Sequence, residues 1–267
     1  MSGIGAEAFS SAQATDAYPP LPPKRSPQSH PKYRILHEDA FATVTEESAY
    51  WVGFLMADGS VSPPHNNAPN GAPHLSLSIA EIDAAHMEKF RAFLGCENPV
   101  YRRPPGRRSK QWTLTLHLSS FRIVTDLAAF GIHPRKTYGA SVVGLEGNRH
   151  FWRGIVDGDG SLGLYRRSDG RHNGMRPSLG IVGPPALIEQ FRAFVSTIIP
   201  GCGYRPRHHA LSPYVHVLDL KDRTAKEVVH VLYGNSTVSL DRKAGMAERI
   251  LTAIPGRTGR PPATTPH

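Results

Sequence analysis

The strongest constraint on this chain is a nine-residue segment that occurs twice, apolar for most of its length and closing each time on Asp-Gly. The copies are Trp51-Val52-Gly53-Phe54-Leu55-Met56-Ala57-Asp58-Gly59 and Trp152-Arg153-Gly154-Ile155-Val156-Asp157-Gly158-Asp159-Gly160. Small residues recur in each at helical i, i+4 spacing, Gly53 with Ala57 and Gly154 with Gly158. Glycine inside a helix costs roughly 1 kcal/mol relative to alanine, so glycines held on one face need a compensating reason. Close approach of two helix backbones is such a reason. An acid at the carboxyl end of a helix is disfavoured by about 0.3–1 kcal/mol against the macrodipole, and a bound cation reverses that penalty. Two such helices packed together set Asp58 and Asp159 side by side, an arrangement that builds a metal site.

More than the motif repeats. Asp58 and Asp159 are 101 residues apart, and so are Phe90-Arg91-Ala92-Phe93 and Phe191-Arg192-Ala193-Phe194, preceded by Glu88 and Glu189. With small slips, Ser76-Leu77 matches Ser178-Leu179, Cys96 matches Cys202, Leu118 matches Leu220, and Arg135-Lys136 matches Arg242-Lys243. Self-similarity at a long fixed offset marks a duplicated structural unit. The chain therefore reads as two tandem versions of one fold, related by a pseudo-twofold axis, with residues 33–147 as the first repeat and 148–254 as the second.

Residues 1–32 are rich in Ser, Ala and Pro and read as a disordered leader; 255–267 read as a flexible tail. Neither a secretory signal nor an organellar transit peptide is expected at the start. No run of about 18 apolar residues is present, so no membrane span is expected. Within each repeat the pattern predicts a helix, two strands, a helix, two strands and a helix. Thr43 or Thr45 caps the first motif helix, and Gly59 is expected to end it in a left-handed conformation. Asp83 is expected to cap the second helix, and Ser119 or Ser120 the third. The second-repeat hairpin from Tyr204 to Leu220 is expected to turn through Pro206-Arg207-His208-His209.

Of the net charge of +9, nearly all lies in residues 148–267, which hold seventeen basic and nine acidic residues. Such a field attracts polyanions. In the first repeat the charge is local: Arg102, Arg103, Arg107, Arg108 and Lys110 crowd one hairpin connection, which could equally be a solvated tip. Two cysteines do not make a disulfide framework; Cys96 and Cys202 read as buried or semi-buried thiols.

The doubled Gly-hydrophobic-hydrophobic-x-(Ala/Gly)-Asp-Gly pattern, with Gly131-Ile132-His133-Pro134-Arg135-Lys136-Thr137 and Leu240-Asp241-Arg242-Lys243 closing the repeats, resembles the LAGLIDADG homing endonucleases in their single-chain, two-motif form. The resemblance covers residues 35–254, and it is to the free-standing or intron-type members, since nothing here looks like protein-splicing chemistry. It implies an α+β fold: two pseudo-symmetric αββαββα repeats forming a saddle of four-stranded antiparallel sheets over DNA, with the motif helices packed at the centre. It further implies Asp58 and Asp159 as metal-binding carboxylates, the carbonyls of Ala57 and Gly158 as further ligands, and Mg²⁺ or Mn²⁺ as the ion. Lys136 and Lys243 match the family's basic residues near the active centres, giving Asp58, Asp159, Lys136 and Lys243 as the implied catalytic set. Such an ion suits phosphodiester hydrolysis, activating water and neutralising the transition state.

Two departures from symmetry stand out. The first motif has Met56 where the second has Asp157, so Asp157 reads as a solvated or hydrogen-bonded acid outside the metal set. Asp83 follows the second strand of one repeat where the other has Gly183-Pro184-Pro185, so the two centres are expected to be unequal. The implied DNA contacts are Arg102, Arg103, Arg107, Arg108, Lys110, Arg166, Arg167, Arg171, Arg176, Arg205 and Arg207. The expected activity is site-specific double-strand cleavage by a monomer belonging to a mobile intron element, in the nucleoid-associated cytoplasm of a bacterium or in a phage context. The alternative is a non-cleaving binder on the same scaffold, an RNA-splicing maturase with intron RNA as partner or a transcription regulator. Retention of both acids favours cleavage.

Overall fold

The computed structural model describes residues 35, 37–64, 71–106, 110–134, 139–166, 175–210 and 212–253. The first motif lies on helix α1 (Glu46–Asp58), which opens on a reciprocal cap: Thr45 Oγ1 accepts from the Ser48 amide at 3.1 Å, and Ser48 Oγ accepts from the Thr45 amide at 2.8 Å. The second lies on α4 (Arg149–Asp159), where the Asn148 side chain accepts from the amides of His150 and Phe151. These caps satisfy amides that have no partner inside the helix.

Each motif helix runs directly into a four-stranded antiparallel sheet. In the first repeat β1 (Gly59–Ser62), β2 (His74–Ala80), β3 (Val100–Arg103) and β4 (Thr113–Ser119) lie in the order β1-β2-β4-β3. In the second, β5 (Ser161–Arg166), β6 (Met175–Gly183), β7 (Arg207–His209) and β8 (Ser212–Lys221) repeat that order. Alternation sends Leu75, Leu77 and Ile79 of β2 and Leu116 and Leu118 of β4 to one face, against α2 (Ala84–Leu94) and α3 (Phe121–Ala129). The second sheet buries Leu179, Ile181, Leu218 and Leu220 in the same way, with α5 (Pro185–Ile198), α6 (Asp222–Tyr233) and α7 (Asp241–Thr252) as the remaining helices. The two halves share one continuous apolar core. No helix of the described residues is long and apolar enough to cross a membrane.

The motif helices meet where the glycines are. A Cβ built on Gly53 would stand 2.0 Å from the Phe151 carbonyl oxygen, and one on Gly154 would stand 2.1 Å from that of Tyr50. A Cβ on Gly158 would fall 2.3 Å from that of Ala57. Backbone against backbone leaves no room for a methyl group.

Several local expectations are corrected. Gly59 is extended (φ −76°, ψ 156°), and so is Gly160 (φ −84°, ψ 171°). What demands glycine there is space: a Cβ on either would lie within 2.7 Å of atoms of the preceding helical turn. Strand β1 starts at Gly59, directly where α1 ends. Asp83 holds the N-cap position of α2 but makes no capping bond; its carboxylate accepts from Arg242 Nε at 3.0 and 3.2 Å. Arg207, His208 and His209 form strand β7 rather than the turn. The expected leader and tail lie outside the described residues.

Candidate catalytic and nucleic-acid site

Because each motif acid is the last residue of its helix, both carboxylates emerge together from the centre of the molecule. Asp58 and Asp159 are exposed, and neither helix has a basic residue in its last turn. Asp58 Oδ2 lies 3.4 Å from the point where a Cβ on Gly158 would stand, so the first carboxylate rests against the backbone of the opposite helix. A cavity of about 220 Å³ opens beside Asp159, lined by Met56 and Ala57 of α1 and by Val182, Gly183, Leu187 and Val215 of the second repeat. Among the described residues there is no group of three or more His, Cys, Asp or Glu side chains placed to hold a metal. Carboxylates such as those of Asp58 and Asp159 are oxygen ligands of the kind hard cations take, together with carbonyls and water.

Lys243 occupies a place that sequence matching could not specify. It is 6% exposed, and its ammonium donates to four carbonyls at the end of α4: Val156 at 2.6 Å, Asp157 at 2.7 Å, Gly160 at 2.8 Å and Gly158 at 3.2 Å. It thus acts as the cation that a helix carboxyl terminus favours. Burial brings its pKa down to about 8, opposed by Asp157, Asp58 and Asp159. An ammonium has three N–H donors, and four acceptors already compete for them. The Gly158 carbonyl expected to face a metal is therefore shared with this lysine. Lys136 lies outside the described residues.

Asp157 is 1% exposed and anchors a polar relay between the repeats. It accepts from Tyr233 Oη at 2.6 Å, from the Leu240 amide at 2.7 Å and from Tyr50 Oη at 2.8 Å, while Tyr50 Oη lies 3.0 Å from His86 Nε2. Since Tyr50 spends its proton on Asp157, His86 donates to Tyr50. Burial raises the Asp157 carboxyl, with Tyr233, Leu240, Tyr50 and Lys243 pulling the other way. Burial likewise pushes His86 down to about 3. The bond to Leu240, the residue before α7, holds the helix that carries Lys243. Of the two readings open for Asp157, hydrogen-bonded is correct and solvated is not. Tyr50, His86, Tyr233 and the fully buried Arg153, which donates to Glu46 and to the carbonyls of Leu232 and Val238, were not foreseen. The only signal was the mismatch of Asp157 with Met56.

Strand register decides which basic residues share the face opposite the helices. In the first sheet that open face carries Ser60, Ser76, Ser78, Thr115, His117, Tyr101 and Arg103. Arg102 pairs in register with Leu114 and so lies on the helix-packed side, bound to Glu81 and stacked 3.7 Å above the Trp112 ring. In the second sheet Tyr165, Arg176, Asp219, Lys221 and Arg207 share the open face, whereas Arg166 alternates with them and falls on the side of Leu162 and Leu164. Arg207 donates to Asp219 at 2.7 Å and Arg176 Nε to Asp222 at 2.6 Å. Lys110 and Arg205 are exposed in the segments leading into β4 and β7. Arg107, Arg108, Arg167 and Arg171 lie outside the described residues.

No protein-family model and no curated protein matches the chain. Solved structures do. The I-SmaMI LAGLIDADG homing endonuclease bound to cleaved DNA aligns over 78% of this chain and 88% of its own at 12% identity, with a TM-score of 0.54. The LAGLIDADG meganuclease I-AabMI bound to uncleaved DNA aligns over 78% and 89% at 10% identity, with a TM-score of 0.53. The fold is thus that of a LAGLIDADG homing endonuclease in its single-chain, two-motif form.

Proposed function

We propose that this protein is a monomeric, site-specific endonuclease that hydrolyses both strands of a DNA duplex with the help of a divalent cation. The observation that carries this reading is the exposure of Asp58 and Asp159 at the carboxyl ends of two motif helices, α1 and α4, that touch there. Acids at helix carboxyl ends are disfavoured by the helix dipole, a penalty that a bound cation would offset. Mg²⁺ or Mn²⁺ held by these carboxylates and the Ala57 carbonyl would activate water and neutralise charge on the phosphate. The chain itself does the rest: it sets one acid per repeat, so that two scissile phosphates are addressed from one rigid helix pair. The tight Gly53–Gly154 crossing holds that spacing. The open faces supply hydroxyls, imidazole and guanidinium groups of the kind that read base edges in a major groove, with Arg103, Arg176 and Arg207 the described arginines placed for it. Arg205 and Lys110 are placed to meet phosphates, and the basic second repeat steers the encounter.

The test is incubation of the purified protein with a randomised duplex library and Mg²⁺, followed by sequencing of the ends produced. Recovery of one extended site, cut in both strands and lost in chelator, supports the reading. Tight, selective DNA retention with no cleavage under Mg²⁺ or Mn²⁺ would make the protein a binder on this scaffold instead.

A further inference from the structure

Strand register matches the open face of one sheet to that of the other. On β2 and β4, Ser76 pairs with His117 and Ser78 with Thr115, which pairs in turn with Tyr101 of β3. On β6 and β8, Gly180 pairs with Asp219 and Val182 with Val217, which pairs in turn with Arg207 of β7. Arg207 therefore stands where the first repeat has Tyr101, and Asp219 where it has His117. Each couple is diagonal across two strands, within reach of long side chains. The Tyr101 and His117 rings lie 5.9 Å apart, whereas Arg207 Nη2 donates to Asp219 Oδ2 at 2.7 Å. The second couple also has a seat. Asp219 Oδ1 lies 2.7 Å from the point where a Cβ on the buried Gly180 would stand, so the carboxylate leans across a glycine where the first sheet carries Ser76. The Asp219 side chain is 34% exposed and that of Arg207 62%, so the acid is tucked against the sheet and the base stands out from it.

We propose that Asp219, seated on Gly180, is a positioning residue for sequence recognition: it aims Arg207 at one guanine in the half-site met by the second sheet. The mirror-related base pair of the other half-site, met by Tyr101 and His117, carries no such requirement. The proposal rests on the reading above in that the open faces meet a DNA major groove. A guanidinium offers five N–H groups in a fixed fork, and Asp219 takes one, which leaves enough for a two-pronged contact. The neighbouring carboxylate offsets the charge of Arg207 and repels a phosphate, so this arginine is suited to neutral acceptors. In a major groove the neutral acceptors that fit the fork are O6 and N7 of guanine. The same carboxylate removes rotational freedom from a long side chain before DNA arrives, and so lowers the ordering cost of binding.

The experiment reads binding rather than cleavage. Duplexes that the protein retains from a randomised library in chelator are sequenced, and affinities for the selected site and its single-base variants are measured by gel shift. The parent should prefer one guanine in one half-site by about 5- to 150-fold over the other bases, the range of a good bidentate pair. Placing 7-deazaguanine there, which lacks N7, should weaken binding severalfold. Arg207→Ala should abolish both the preference and the 7-deazaguanine penalty. Asp219→Ala and Gly180→Ser, which keep Arg207, should cut the preference at that position to a few-fold at most. Their affinity for duplexes lacking the guanine should hold or rise, because an untethered guanidinium can reach a phosphate. Asp219→Asn, which keeps an acceptor, should retain part of the preference. Melting temperatures identify any variant that fails to fold. A folded Asp219→Ala variant with the full guanine preference, or with a uniform loss of affinity for all duplexes, would make the ion pair a tie between strands and overturn the inference. So would a selected site with no guanine that depends on Arg207. Either result leaves the nuclease reading intact, since that is read from cleavage in Mg²⁺. A protein that neither retains nor cuts DNA removes both.

Discussion

Asp58 and Asp159 are exposed and rest on helices that pack through other residues, so each can lose its charge without disturbing the core. Asp58→Asn or Asp159→Asn should abolish double-strand cleavage and leave the melting temperature and gel-shift affinity near the parent's; full cleavage by either variant would remove the carboxylates from the chemistry. Gly53 and Gly154 are the opposite case, since a side chain there meets backbone rather than a movable neighbour. Gly53→Leu or Gly154→Leu should cost at least the 1–3 kcal/mol typical of overpacking, read as a collapse in soluble yield or melting temperature. His86 predicts a pH dependence. Its burial, with Lys89 adding to it and Asp241 opposing, holds the folded-state pKa near 3 against an ordinary value of 6.5. The unfolded chain therefore binds the proton first, and the contribution of neutral His86 to stability is whole above pH 6.5 and lost as pH falls toward 3. A shift of this size corresponds to something on the order of 5 kcal/mol. Melting curves between pH 4 and 8 should show the loss, and His86→Leu, which puts here the residue found at the matching position Leu187, should flatten it.

At the scale of elements, the end of α4 is held by α7 and not by its own sequence. Lys243 satisfies four carbonyls there, and Asp157 returns the constraint through Leu240. Lys243→Met should leave those carbonyls buried without a donor, a loss of roughly 1–3 kcal/mol, and should lower cleavage through the displaced Asp159. Lys243→Arg, which keeps charge but not the compact ammonium, should recover part of the melting temperature. If Lys243→Met melted with the parent, the lysine would not be the cap the distances describe. The first motif helix shows no counterpart of Asp157, since Met56 occupies that position in an apolar setting. Helix ends, strand alternation and the Thr45 and Ser120 caps were legible because they depend on neighbours within a few residues. The Asp83–Arg242 and Asp157–Tyr233 pairs were not, since they join residues 159 and 76 positions apart.

On the scale of the whole molecule, charge and register act together. Most of the net charge lies in the second repeat, and its open face holds Arg176, Arg207 and Lys221 where the first has mainly serine, threonine and histidine. DNA affinity should fall steeply with salt, each neutralised phosphate contributing about 0.9 to the logarithmic slope. Arg205→Ala should reduce that slope by roughly one unit, as for a lost phosphate contact, whereas Arg207→Ala should relax sequence preference more than it alters the slope. Equal slopes for the parent and Arg205→Ala, in filter binding from low to moderate salt, would place Arg205 away from the phosphates. The sequence by itself determined the duplication, the helix–strand order, the crossing of the motif helices and the pairing of the two acids, because periodicity and glycine spacing express local backbone requirements directly. Only the tertiary structure decided that Lys243 caps a helix, that Asp157 ties the repeats together, and that Arg102 and Arg166 turn from the open faces. Those outcomes depend on which distant groups come within hydrogen-bonding reach once the core has closed, and on a strand register in which a shift of one residue reverses every side chain.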